Sequence, residues 1–110
     1  MIYLLFFLNA STKGRIEDVR LLLNYGADID AADQIGGTAL SRAILFGHHD
    51  ILELLIERDV TVDQGDQNGE TALMMAARNG DLVGAKLLLD AGANVNHNHT
   101  RWGVTPLMYS

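Results

Sequence analysis

At 110 residues the chain holds one small domain, and 48% hydrophobic content against 20% charged residues excludes a disordered polymer that could not bury enough apolar surface to offset its ordering entropy. A net charge of −6, with only eight Lys and Arg residues, argues against nucleic acid as a partner, which needs clustered basic side chains to displace counterions, and against an anionic membrane for the same reason. The absence of cysteine removes disulfides, thiolate nucleophiles and Cys-ligated zinc, and fits a cytoplasmic or nuclear protein.

The chain repeats itself. Gly14, Gly47 and Gly80 are spaced 33 and 33 residues apart, as are the pairs Leu21-Leu22, Leu54-Leu55 and Leu87-Leu88; Thr38 and Thr71, and Leu40 and Leu73, are also 33 apart. A fixed period of this size predicts a stacked array of units, each resting on its neighbours. The opening run MIYLLFFL has no basic residue before Lys13 and falls short of the ~20 apolar residues of a membrane span, so the reading as a helix of the array is favoured over a signal peptide or a transmembrane helix. In the 33-residue register Leu5 to Gly14 correspond to Thr38 to Gly47, so the run is the first helix of a degenerate first unit. Ile2, Tyr3 and Phe6 then leave an apolar end where a terminal unit should be polar, so either the array continues beyond this end or the end meets a partner.

Ile16, Val19, Leu22 and Leu23 mark one face of a second helix. Gly26 and Gly92 follow the second helices where a residue of positive φ would end them, and Asp59 takes that place in the middle unit. The connectors Ala27 to Gly37, Val60 to Glu70 and Ala93 to Val104 are rich in turn-forming Asp, Asn, Gln and Gly. Thr38, Thr71 and Thr105 cap the first helices of successive units, and Pro106 fits a first helical position. The sequence stops at Ser110, about one turn into that last helix, so the array is expected to belong to a longer chain. The predicted core packs Leu40, Ala43 and Ile44 with Ile51, Leu54 and Leu55, and Leu73, Ala76 and Ala77 with Leu82, Leu87 and Leu88; Ala43 and Ala76 are small so that helices can approach closely.

The segments GGTALSRA, GETALMMAARNG and LLLDAGANVN resemble the ankyrin signature T-P-L-H-x-A-A-x-x-G and its L-L-x-x-G-A-D-V-N ending, over nearly the whole chain. The resemblance implies an all-α repeat solenoid: helix-turn-helix units with short β-hairpin fingers formed by the connectors, about three repeats plus the start of a fourth. The expected divisions of this single array are residues 1–32, 33–65, 66–99 and 100–110. The family's signature His is replaced by Ser41, Met74 and Met108, so the polar network it supports elsewhere does not carry over.

Catalytic and metal chemistry is poorly represented. No glycine-rich stretch leads into a Lys-Ser or Lys-Thr pair, so no phosphate loop is predicted. Asp28, Asp30 and Asp33 before Gly36 miss calcium-loop spacing and lack a closing glutamate, and read as a solvated turn. His97 and His99 supply only a partial ligand set and read as an exposed finger tip. His48, His49 and Asp50 recur at the turn between paired helices and read as turn and capping residues, and nothing places Ser, His and Asp as a triad. The chain is therefore expected to be no enzyme and to need no metal or cofactor.

What the resemblance implies instead is protein binding, on a concave face built from finger tips and the outward side of each first helix. By position those residues are Gln34, Ile35, Gly37, Gln67, Asn68, Glu70, Arg101, Trp102 and Val104 on the fingers, and Thr12, Lys13, Leu45, Phe46, Arg78 and Asn79 on the helices. Ile35, Leu45, Phe46 and Trp102 stand out, because exposed apolar and aromatic groups mark binding surfaces. Asp28, Asp30, Asp33, Asp63 and Asp66 favour a protein partner with a basic patch through electrostatic steering. Two alternatives follow from the same resemblance: a regulatory or substrate-recognition segment of a larger enzyme of kinase or ubiquitin-ligase type, or a substrate for asparagine hydroxylation at Asn96, where the equivalent residues Asp30 and Asp63 are not candidates.

Overall fold

A computed structural model of the protein describes residues 2–94. Six helices follow one another: α1 (Ile2–Lys13), α2 (Ile16–Asn24), α3 (Ala39–Leu45), α4 (His49–Glu57), α5 (Ala72–Asn79) and α6 (Leu82–Asp90). They pair as α1 with α2, α3 with α4 and α5 with α6, and the pairs stack so that α3 lies between α1 and α5 in one row and α4 between α2 and α6 in the other. The stacked array expected from the 33-residue period is thus present, and its described elements are all helices, as the resemblance implies.

The helix ends are written three times in the same hydrogen bonds. The amides of Arg15, His48 and Asp81 return to the carbonyls of Ala10, Ala43 and Ala76, each five residues back. Those of Ala27, Val60 and Ala93 return likewise to Leu22, Leu55 and Leu88. These bonds satisfy the last carbonyls of each helix, and they need one left-handed residue at the turn. After the second helices that residue is Gly26 (φ 93°), Asp59 (φ 62°) and Gly92 (φ 97°); Asp59 is the only non-glycine residue with positive φ among the described residues. At the other end, the Thr38 and Thr71 hydroxyls accept from the Ser41 and Met74 amides, as their register predicts. Ser41 completes a capping box, its hydroxyl accepting from the Thr38 amide at 2.9 Å, while Met74 is wholly buried. The two substitutes for the family's His therefore do different work: one closes a cap and the other fills the core.

The core runs along the seam between the two rows. Ala10, Ala43 and Ala76 are buried at equivalent positions of the inner row, where small side chains allow the helices to approach. Phe7, Val19, Leu40, Ile44, Ile51, Leu54, Leu55, Leu73 and Leu88 fill the space around them. Ala77 and Leu87 are only partly buried. Leu82 departs from expectation, being 81% exposed. It stands at the first position of α6, on the solvent side, and the inward position that Ile51 occupies in the middle unit belongs here to Gly84, whose missing Cβ would lie 3.0 Å from Ile44 Cδ1.

No strand is assigned to the fingers among the described residues, but both described tips close on a backbone bond, from the Asp33 amide to the Gly37 carbonyl at 2.9 Å and from the Asp66 amide to the Glu70 carbonyl at 3.0 Å. In each described tip one aspartate also gathers the turn. Asp33 Oδ1 accepts from the amides of Ile35 and Gly37 at 3.0 and 2.8 Å, and Asp66 Oδ1 accepts from Asn68 and Glu70 at 2.8 and 3.0 Å. In a five-residue tip the carboxylate satisfies amides that a strand ladder would otherwise need to pair. In the first unit the positions of a finger are helical, because α1 begins at Ile2 and so starts about a turn earlier than α3 and α5 do in register.

Candidate functional site

The face that the resemblance implicates lies where the fingers meet the row of helices α1, α3 and α5. Ile35, Gln34, Gln67 and Asn68 are exposed on the two described tips, and Leu45, Phe46, Arg78 and Asn79 are exposed at the C-terminal ends of α3 and α5. Glu70 is half-buried and forms an ion pair with Arg78, which joins the base of its finger to the end of the following helix. Asn96, Arg101, Trp102, Val104, Thr105, Pro106, Met108 and the His97–His99 pair lie outside the described residues.

The tips are held together as well as held up. The Gln67 amide donates to the Ile35 carbonyl at 3.4 Å across neighbouring fingers. Arg42 on α3 reaches Asp33 Oδ2 at 2.5 Å. Burial alone would push the Asp33 carboxyl up, but the Gly37 and Ile35 amides and the Arg42 guanidinium outweigh it and hold the group below the usual carboxylate range. Ile35 and Phe46 are thus displayed on backbone fixed by local hydrogen bonds, which lowers the entropic cost of engaging them. Beside Ile35 a groove of about 630 Å³ opens between the finger and the first turn of α1, lined by Leu4, Leu5 and residues 32–35.

The finger aspartates, read from the sequence as a steering field, have structural duties too. Asp30 accepts from the Thr61 amide at 2.8 Å and from the Thr61 hydroxyl at 2.7 Å, and Asp63 accepts from the Asn94 amide at 2.9 Å. Each pair spans 31 residues and joins one unit to the next. His48 and His49 do the same for the helical turns. His48 Nε2 donates to the Thr12 carbonyl at 2.8 Å, its ring lying against Gly14, where a Cβ would come within 2.7 Å of the ring. His49 Nε2 donates to both Asp81 oxygens at 3.0 and 3.1 Å, while the same carboxylate caps α6 through the Gly84 amide. The sequence reads the two histidines as turn and capping residues; in the structure His48 stands at the start of α4 without a side-chain cap bond, and both histidines are joints between units.

Among the described residues no group of three His, Asp or Glu side chains could hold a metal ion, and no helix is long and apolar enough to cross a membrane. A family model described as ankyrin repeats, three copies, matches residues 6–99 and, in an overlapping alignment, residues 60–110. No curated protein matches the chain.

Proposed function

The chain belongs to the ankyrin repeat family, a family of protein-protein interaction modules that is typically non-catalytic, and we propose that it binds a protein or peptide partner on its concave face. One observation carries this reading: Ile35, Leu45 and Phe46 remain about half exposed or more on a surface whose framework is otherwise satisfied. Solvent-facing apolar groups of this size are disfavoured unless something covers them. The charged neighbours support it, because Arg42 is engaged by Asp33 and Arg78 by Glu70. A partner then meets apolar side chains bordered by pre-paired ions, an arrangement resembling the apolar centre and polar rim of a protein interface.

The partner's chemistry follows from the same face. The connectors 27–37 and 60–70 contain six acidic residues and no basic one. An apolar segment flanked by Lys or Arg therefore fits best, apolar groups supplying affinity and charge supplying the approach rate. The test is affinity capture from cell lysate with the wild-type chain and with an Ile35→Ala, Phe46→Ala variant of matching circular dichroism. Loss of a specific protein from the variant supports the proposal; retention of every partner by the variant overturns it.

A further inference from the structure

We infer that the outer side of the α1–α2 pair is a self-association surface, on which a second copy of this chain docks about a two-fold axis. α1 and α2 are covered by α3 and α4 on one side only. On the other side Tyr3, Phe6, Leu21 and Tyr25 are 71, 59, 55 and 84% exposed. At the ~200 Å² that an aromatic side chain can bury, these four offer roughly 500 Å² per copy, or about 1,000 Å² for a pair, which is the lower bound of a specific interface. The association is therefore reversible and concentration-dependent.

Shape and charge together select a second copy as the occupant. The patch carries projecting rings and two hollows, one of about 260 Å³ beside Phe6 and one of about 640 Å³ beside Tyr3 and Tyr25. Both hollows are lined by Leu21 and Leu22, so they lie side by side on this face. A two-fold contact requires knob and hole on the same surface, because each copy must supply what the other needs. The charge distribution adds a second constraint. Up to Ala27 the chain has three basic and two acidic residues, whereas beyond it there are five basic and twelve acidic. Two copies repel one another over most of their surface, and the α1–α2 side is where they can meet without that penalty. Exposed pairs of opposite sign lie along α2, Arg15 with Asp18 at 3.9 Å and Arg20 with Glu17 at 3.7 Å, and each can exchange partners with the same pair across the axis.

Sedimentation equilibrium of the 110-residue chain between about 5 and 500 µM tests this. The weight-average mass should rise from 12.0 kDa toward twice that value, with a midpoint on the order of 100 µM, as a weak interface of this size gives. Tyr25→Glu and Phe6→Glu, both with unchanged circular dichroism, should each raise the midpoint at least tenfold, and Phe46→Glu on the concave side should leave it in place. A monomer across the whole range overturns the inference. So does a mass climbing past the dimer, which signals head-to-tail stacking, and so does dissociation by Phe46→Glu with none by Tyr25→Glu.

Discussion

Replacing Asp59 by glycine should stabilise the array, and the size of the effect can be worked from the backbone. Asp59 ends α4 at φ 62°, where the equivalent residues after α2 and α6 are glycines. A side chain in this region costs about 1–2 kcal/mol, toward the lower value for Asp, which tolerates it better than most. Glycine gives back roughly 0.5–1 kcal/mol through its greater freedom in the unfolded chain. The Asp59 side chain is exposed and makes no hydrogen bond or ion pair among the described residues. Its carboxylate also stands at the negative end of the α4 dipole, so removing it adds a few tenths of a kcal/mol. The closing bonds, Asp59 N–H to Ile56 and Val60 N–H to Leu55, belong to the backbone and survive the change. The expected gain is about 0.5 kcal/mol, read in urea as a midpoint higher by about 0.2–0.5 M at unchanged slope. Two controls separate the causes: Asp59→Asn removes the charge and keeps a tolerant side chain, so it should gain only a fraction; Asp59→Ala should lose stability. A glycine variant whose midpoint stays put or falls refutes the reasoning.

Leu54→Ala should cost about 2–5 kcal/mol in the same urea experiment, while Leu87→Ala, at the same register position but only partly buried, should cost less; equal losses would show that the two units are packed alike. Asp81→Ala removes the α6 cap and the acceptor for His49 together and should cost more than His49→Ala, which spares the cap; the two denaturation midpoints decide the order. Because the folded Asp33 carboxyl titrates below its unfolded value, its contribution is complete above the unfolded pKa of about 3.9 and is lost as pH falls through the folded one. The stability gap between wild type and Asp33→Asn should therefore be widest near neutrality and close progressively at acid pH; a gap independent of pH would remove Asp33's ionisation from the account.

Positions where the copies check one another were readable from the sequence. Asp59 could be placed at positive φ because Gly26 and Gly92 stand in register with it, and Thr38 and Thr71 could be assigned as caps for the same reason. Leu82 was misplaced because an apolar residue beside a predicted helix face looks like core, when the inward site had passed to Gly84. The fingers read as hairpins by resemblance, but the one aspartate that gathers the amides of each described tip was not legible, because its partners are backbone groups two and four residues on. At the candidate site the exposed apolar residues were recognisable by position, but the bond joining Glu70 to Arg78 was not, since it pairs two positions that carry no charge in the middle unit, Gly37 and Leu45. The joints were hidden for a related reason. His48 meets Thr12 across 36 residues and Asp30 meets Thr61 across 31, distances at which local pattern says nothing.

Those 31-residue joints bear on how such a chain can change its length. The acceptor is always a side chain of the earlier unit and the donor a backbone amide of the next, Asp30 to Thr61 and then Asp63 to Asn94. A backbone amide is supplied by any residue except proline. A tandem duplication of 33 codons thus brings its own acceptor, and needs no matching mutation in the block beside it to form the new seam. Gain and loss of whole blocks is then cheap in mutational steps, whereas a slip of one or two residues disturbs only the seam whose two partners it separates.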